Sequence, residues 1–252
     1  PFDDCRRLIS GDHIKAEAQA GRMGEQLYAV VFKRRIETRT KTGKRGKDKW
    51  ERGYRAPRPE DDVSEQVAAA LAEKLPEWEA LDMVPTDEYG DMFCDRSKVY
   101  GVRYWRDVFS PRQLVSHATA VELFRQLIDE ERAAGHWSEL TAAAFCYLSF
   151  SFDKLRDYNS RMARWHVNRE VMVNTFDRHD FSFKWSYAEM APLIVGLGYD
   201  WAIEQTAKCI GELVALVRPD AKAGDPLQRG LKFDGSGRSL VPPPITLTCK
   251  SG

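Results

Sequence analysis

Hydrophobic and polar positions follow helical spacing over the longer segments of this chain. Apolar residues stand three and four positions apart in residues 63–75, 110–134, 138–158 and 200–217. This spacing places them on one face of each segment, which predicts four amphipathic helices. Gly135 separates the second helix from the third, so we expect those two to form an antiparallel helical hairpin.

Specific residues mark the ends of the predicted helices. Ser110 can cap the second helix, with Pro111 at its first position and Gln113 placed to bond back to the cap. Pro76 is expected to end the first helix, because proline lacks the N–H that a helix interior requires. Asp200 is expected to cap the last helix.

A different pattern near the N-terminus predicts a β-hairpin. Residues 26–40 are rich in β-forming residues and then alternate between polar and apolar positions. Trp50 and Tyr54 lie on the predicted return strand, which ends at Pro57, and the intervening tip contains glycine. Shorter strands are expected near residues 102–105 and 245–249, and a short helix near residues 185–190.

The charge of the chain is balanced overall but concentrated in this hairpin. From Lys33 to Arg58 there are twelve basic and three acidic residues. A basic segment of this kind is attracted to phosphate, which indicates a nucleic-acid contact. The alternative is an edge hairpin whose lysines only prevent aggregation.

Residues 152–201 combine aromatic rings with arginines and amides. From Phe150 to Trp201 there are eleven aromatic residues in 52. Rings beside cations suit a polyanion whose bases can be stacked, although core packing predicts that well over half of the rings are buried and that the arginines pair with neighbouring acids. The candidate nucleic-acid-binding residues are Arg34, Arg35, Lys44, Arg45, Lys47, Arg161, Arg164, Trp165, Arg178, Lys184 and Trp185.

Other classes of site find little support in the sequence. Five widely spaced cysteines without a C-x-x-C pair argue against a disulfide framework and a zinc site, and favour the reducing cytoplasm. No apolar run approaches eighteen residues, so no membrane partner is expected. Residues 233–237 match the F-x-G-x-G loop of methyltransferases, but the prolines at 242–244 forbid the helix that should follow, which predicts a linker. No catalytic residue or metal ligand is assigned.

Four segments of the sequence carry a family resemblance. Residues 20–31, 109–127, 153–193 and 196–214, including the block DKLRDYNSRMARWHVNREVMVNTFDRHDFSFKWSYAEMAPL, resemble the family of adenine-specific DNA methylases that contain a zinc ribbon. Members of that family carry a glycine-rich methyl-donor loop and the ribbon ahead of this region, and an Asp-Pro-Pro-Tyr motif behind it. This sequence contains none of these elements, so no catalytic residue is transferred from the family.

The resemblance implies the internal, DNA-holding or target-recognition region of an S-adenosylmethionine-dependent DNA adenine methyltransferase. The expected fold is mainly α with a β-hairpin, an α+β helical insert of a Rossmann-like enzyme whose catalytic sheet is largely absent. The expected divisions are residues 1–58 with the hairpin, a helical domain at 59–218, and a linker with a terminal strand at 219–252. S-adenosylmethionine is expected in the full-length protein but not on this chain, which is predicted to be inactive alone.

The expected partners are DNA and the remainder of the methylase polypeptide. Extruding an adenine from a duplex requires that the opened DNA be held, and this region is chemically suited to that task. The alternative is a non-catalytic nucleic-acid-binding or structural module of a DNA defence or repair protein.

Overall fold

The computed structural model describes residues 8–90, 97–177, 184–194 and 196–217. Within these residues the chain is a mixed α and β protein with five α-helices and two small antiparallel hairpins. The elements are α1 (Gly11–Gln19), β1 (Val30–Ile36), β2 (Lys49–Arg55), α2 (Ser64–Ala80), α3 (Pro111–Ala133), α4 (Glu139–Tyr158), β3 (Arg164–His166), β4 (Val171–Val173) and α5 (Gly198–Val217). None of the described helices is both long enough and apolar enough to cross a membrane.

Backbone contacts divide the chain into two compact units, with the boundary between Ala118 and Thr119 inside α3. The three-part division made from the sequence stays a prediction, as does the Rossmann-like insert. The predicted linker at 219–252, the loop at 233–237 and the strand at 245–249 lie outside the described residues.

The core of the first unit lies between α2 and the start of α3. Its buried members, Trp78, Val84 and Ala118, are each only 2% exposed. The partly buried side chains packed against them are Leu71, Leu75, Met83 and Leu114. The expectation that α2 ends near Pro76 is wrong, because the helix continues through Pro76 to Ala80. The buried indole of Trp78 lies in that extension, and its burial offsets the hydrogen bond that the proline cannot donate.

The predicted start of α3 is confirmed. The backbone N–H of Gln113 donates to Ser110 Oγ at 3.2 Å, and the backbone N–H of Ser110 donates to Gln113 Oε1 at 2.9 Å. These two bonds satisfy backbone donors that the first helical turn leaves open. The strand expected near residues 102–105 is reduced to a single bridge between Glu88 and Tyr104.

The second unit is built around an antiparallel pair, α4 and α5. Leu155, Met190 and Ala202 form its buried centre. One helical turn away from Leu155 and Ala202, Ser151 Oγ of α4 donates to Thr206 Oγ1 of α5 at 3.0 Å. Helix α5 begins at Gly198, ahead of the predicted cap Asp200, whose carboxylate instead accepts the Gly196 N–H at 2.6 Å.

Helices α3 and α4 meet through aromatic rings. The ring of Phe124 lies 5.5 Å from that of Phe145 and 5.2 Å from that of Phe152, both edge to face. Gly135 has a positive φ of 72° in the connection between the two helices. The predicted helical hairpin therefore forms at the predicted glycine, which adopts this backbone conformation at little cost.

A small hairpin, β3–β4, follows α4 and was not predicted. The helix expected near residues 185–190 is absent, and that segment is irregular. Two of its backbone N–H groups donate to a segment earlier in the chain. The Ala188 N–H donates to the Ala163 carbonyl at 3.1 Å, and the Met190 N–H donates to Asn159 Oδ1 at 2.6 Å. These partners replace the bonds that a helix would have made.

Candidate nucleic-acid interface

The basic hairpin forms as predicted, with strands that are shorter than the sequence suggested. Val30 pairs with Arg55 at its base and Ile36 pairs with Lys49 next to the tip. Because side chains alternate along a strand, this register sorts the residues onto two faces. The aromatic–cation face consists of Val31, Lys33, Arg35, Trp50, Arg52 and Tyr54. The ion-paired face consists of Val30, Phe32, Arg34, Ile36, Lys49, Glu51, Gly53 and Arg55.

The charged side chains of the ion-paired face all have partners of opposite charge, and its one ring packs within the hairpin. Glu51 accepts from Arg34 Nη2 at 3.3 Å and from Lys49 Nζ at 3.5 Å. The ring of Phe32 lies over its cross-strand partner Gly53, where an added Cβ would come within 2.4 Å of Phe32 Cζ. The ring therefore covers backbone that a glycine leaves bare.

The aromatic–cation face is open. Trp50 is 61% exposed and Tyr54 is 50% exposed. Between them, Arg52 lies directly opposite Lys33. Within the part of the chain that the structure describes, the ammonium group of Lys33 has no hydrogen bond or ion pair, and Trp50 has no ring contact. This face therefore combines accessible rings with positive charge.

The tip of the hairpin is an ordered loop. The backbone N–H of Thr40 donates to the Lys44 carbonyl at 2.8 Å, and that of Gly46 donates to the Thr38 carbonyl at 2.8 Å. Gly43, with φ of 78°, supplies the left-handed residue that the turn requires. The loop that carries the tip lysines therefore has a defined backbone conformation.

The three acids of the hairpin, Glu37, Asp48 and Glu51, all form ion pairs with its arginines or with Lys49. Arg35 pairs with Asp48 at 2.6 Å, and Arg45 lies 3.5 Å from Asp48 and 3.6 Å from Glu37. The candidates Arg34, Arg35 and Arg45 therefore all form ion pairs. In contrast, the exposed ammonium groups of three tip lysines have no acidic partner among the described residues; they are Lys41, Lys44 and Lys47.

The base of the hairpin is anchored by one bidentate ion pair. The guanidinium of Arg55 donates through both Nη atoms to the carboxylate of Asp61, with Nη2 2.7 Å from Oδ1. The backbone N–H of Arg58 donates to the same carboxylate at 2.7 Å. Hydrogen bonds from Arg55 and then from Arg58 hold the pKa of Asp61 well below its usual range. The pair fixes the end of β2 against the turn that precedes α2.

The candidates of the central stretch lie in the second unit. Arg164 Nη2 lies 2.7 Å from Asp177 Oδ2, so this arginine is paired. Arg161 and Trp165 are half-buried and also have partners. Lys184 and the 64%-exposed Trp185 lie on the segment that bonds to Ala163, beside the start of β3.

The remaining candidate, Arg178, and the predicted burial of the rings had different outcomes. Arg178 lies outside the described residues. The expectation that well over half of the rings are buried is wrong for the described ones: three are exposed and the others are half-buried. The exposed rings are Phe150, Phe176 and Trp185. The buried centre is made instead by Leu155, Met190 and Ala202, and partly buried rings such as those of Tyr158 and Trp201 pack against it.

Much of the polar character of this stretch is structural. Asn159 is 1% exposed, and its side-chain amide donates to the Met190 carbonyl at 2.9 Å while accepting the Met190 N–H. Asp157 accepts from Asn174 Nδ2 at 2.8 Å and from the Phe176 N–H at 3.1 Å. These amides and acids hold loops together, so they do not form a ligand surface.

One groove of the second unit does not fit the methyl donor that the resemblance implies. A groove of about 210 Å³ lies along α4 and α5, lined mainly by apolar side chains such as Tyr147, Phe150 and Leu213. No carboxylate lines it, although the ribose hydroxyls of such a cofactor are commonly bound by one. In the described part of the chain, no three His, Cys, Asp or Glu side chains are placed to hold a metal ion.

Comparisons with family models, curated proteins and solved structures found no match to this chain. The methylase family therefore stays a prediction from the resemblance. The candidate interface is therefore defined by the geometry of the hairpin. Its open face contains Lys33, Trp50, Arg52 and Tyr54, which were not among the binding residues predicted from the sequence. Their spacing of two residues along each strand, with ring and cation on one face, was the signal that could have identified them.

Proposed function

We propose that this chain binds nucleic acid through the basic hairpin, as the DNA-holding region of an S-adenosylmethionine-dependent DNA adenine methyltransferase. The observation that carries the proposal is the set of tip lysines without acidic partners among the described residues, held on an ordered loop. The hairpin has used its three acids on other cations, so its excess positive charge faces solvent. Phosphate is the ligand that such a surface attracts most strongly.

The dimensions of the hairpin also suit a nucleic acid. Each strand has seven residues and so spans about 23 Å. A two-stranded ribbon of this kind fits the major groove of B-DNA, and a chain of phosphates can follow its length. Lysines at the tip would then contact phosphates without reading sequence.

The methyltransferase context rests on the family resemblance. In that context the rest of the polypeptide supplies the methyl donor site and the catalytic motif, and this chain holds the DNA while the adenine is extruded. Exposed free thiols at Cys146 and Cys209 suit a reducing compartment, so we place the protein in the cytoplasm.

The test is the salt dependence of DNA binding. A variant with Lys41, Lys44 and Lys47 changed to Ala is compared with wild type by fluorescence anisotropy on a labelled 20-base-pair duplex, between 50 and 200 mM salt. Removing one lysine–phosphate pair should reduce the slope of log K against log salt by about 0.9. We therefore expect the slope to fall by about 2.7 and the affinity to fall for every sequence.

A charge-matched control separates this from a general effect of net charge. Lys15, Lys74 and Lys208 each pair with an acid on their own helix, at 3.1, 3.5 and 3.9 Å. Changing these three to Ala removes the same charge and should leave the slope near that of wild type. Equal slopes in both triple variants would contradict the proposal. A methyl-transfer assay on the full-length protein then separates a methylase from a binding module without that activity.

A further inference from the structure

We propose that the aromatic–cation face of the hairpin binds unpaired bases of a single-stranded nucleic acid, which stack on Trp50 and Tyr54. This inference rests on the proposed function and specifies its ligand. The two rings are on the same face of β2, four residues and therefore about 13 Å apart. Lys33 and Arg52 lie between them, where the phosphates that link the stacked nucleotides would run.

The exposure of the rings favours a stacking role. On the opposite face of this same hairpin, the ring of Phe32 is 37% exposed and packs over Gly53. Trp50 instead presents 61% of its surface, and its cross-strand neighbour is Arg35. Base–aromatic stacking beside cations is the usual way that a sheet surface holds single strands.

Duplex DNA fits this face less well. In a duplex the bases are stacked on one another about 3.4 Å apart, so their flat faces are not accessible to a ring. Groove readers contact base edges through Arg, Lys, Asn or Gln side chains, and Lys33, Arg35 and Arg52 are of that type. The exposed rings of Trp50 and Tyr54, however, find no accessible base face in a duplex. A ligand with separated, unpaired bases satisfies both the rings and the charges.

The test compares ligands that differ only in their bases. The full chain is titrated with a fluorescein-labelled 20-mer of thymidine, with an abasic 20-mer of the same charge, and with a 20-base-pair duplex. We expect the wild type to bind the thymidine strand at least tenfold more tightly than the abasic strand. Changing Trp50 to Leu should weaken binding to the thymidine strand by about five- to one-hundred-fold. It should change binding to the abasic strand and the duplex less than about twofold.

Matched variants keep the result interpretable. Trp50→Phe retains a ring and should recover most of the loss, and both changes keep a residue that tolerates an exposed strand position. Phe150→Leu removes an exposed ring from α4 and should have no effect. Circular dichroism of each variant verifies the fold.

The outcomes distinguish this inference from the function on which it rests. Equal affinity for the thymidine and abasic strands would overturn base stacking, and so would an equal loss on the duplex, which would point to insertion between base pairs. If Trp50→Leu has no effect while the tip-lysine variant binds weakly, the proposed function stands and the stacking inference fails. If wild type binds none of the three ligands, the proposed function itself fails.

Discussion

Lys33 and Arg52 lie directly opposite each other in the ladder of the basic hairpin, so two cations share one cross-strand position. Like charges placed in this way destabilise a β-hairpin. A hairpin selected only for solubility would gain from an acid at either position. On the opposite face the equivalent pair is Arg34 and Glu51, with opposite charges. The like-charged pair therefore concentrates positive charge on the aromatic–cation face.

The opposed cations predict that one substitution, at Lys33, raises stability and weakens nucleic-acid binding. Changing Lys33 to Glu places an acid opposite Arg52, which should raise the free energy of unfolding by about 0.2–1 kcal/mol. The same change should weaken nucleic-acid binding at least tenfold, because it removes a cation and adds a repelling charge. Chemical denaturation and fluorescence anisotropy on the same preparation measure both quantities.

A charge reversal elsewhere provides the comparison. Lys208→Glu on α5 changes the net charge equally but lies outside the hairpin. We expect it to alter nucleic-acid affinity less than about twofold. If Lys33→Glu lowers stability, or if both variants bind equally, then the opposed cations have no special role.

The two faces of the hairpin also predict different effects of removing a ring. Phe32 covers Gly53, so Phe32→Ala should lower the free energy of unfolding by about 1 kcal/mol. Trp50 is mostly exposed, so Trp50→Ala should change stability by less than about 0.5 kcal/mol. Urea denaturation followed by circular dichroism measures both. Similar losses in the two variants would mean that the exposed indole is also part of the packing.

The hairpin shows what a local pattern can predict and where it stops. Alternation and a glycine-containing basic tip were enough to place a hairpin between residues 26 and 57. They did not fix the register, which depends on hydrogen bonds inside the tip, including those of Thr38 and Thr40. Without the register, Trp50 and Lys33 could not be assigned to one face, so the candidate residues favoured the tip and missed the open face.

The central stretch shows a second limit. Its mixture of rings, arginines and amides predicts a nucleic-acid surface, yet Asn159 and Arg164 have internal partners. Composition cannot tell a buried, satisfied amide from an exposed one, because the partner of Asn159 is the backbone of Met190, 31 residues away. Helix ends were predicted well where the signal was local, as at Ser110, and poorly where packing decided, as at Pro76.

Asn159 lies in a stretch whose composition indicates a ligand surface. Its two hydrogen bonds to the backbone of Met190 predict instead that its removal lowers stability. Asn159→Ala leaves the buried N–H and carbonyl of Met190 without these partners, which should lower the free energy of unfolding by about 2–4 kcal/mol. Gln66→Ala removes an exposed amide from α2 and should change stability by less than about 0.5 kcal/mol. A small effect at Asn159 in urea denaturation would show that water replaces the amide.

The ion pair of Arg55 and Asp61 predicts how stability depends on pH. The pKa of Asp61 is lowered in the folded chain by hydrogen bonds from Arg55 and Arg58, so the unfolded chain takes up the proton first as pH falls. The contribution of this carboxylate is therefore fully present above about pH 4 and is lost as the pH falls below that value. Asp61→Asn should remove this part of the pH dependence, which thermal unfolding between pH 2.5 and 6 measures.

A double-mutant cycle identifies Arg55 as the cause. Arg55→Lys keeps the charge but cannot form the bidentate contact, so it should weaken the coupling with Asp61 at pH 6. The coupling between positions 55 and 61 should then become smaller as the pH falls from 6 to 2.5, because the unfolded chain takes up a proton at Asp61 over this range while the folded chain does not. Because this ion pair anchors the base of β2, variants without it should also bind nucleic acid less tightly through the hairpin. A coupling that stays constant from pH 6 to 2.5 would contradict the assignment, since proton uptake by Asp61 in the unfolded chain must reduce it.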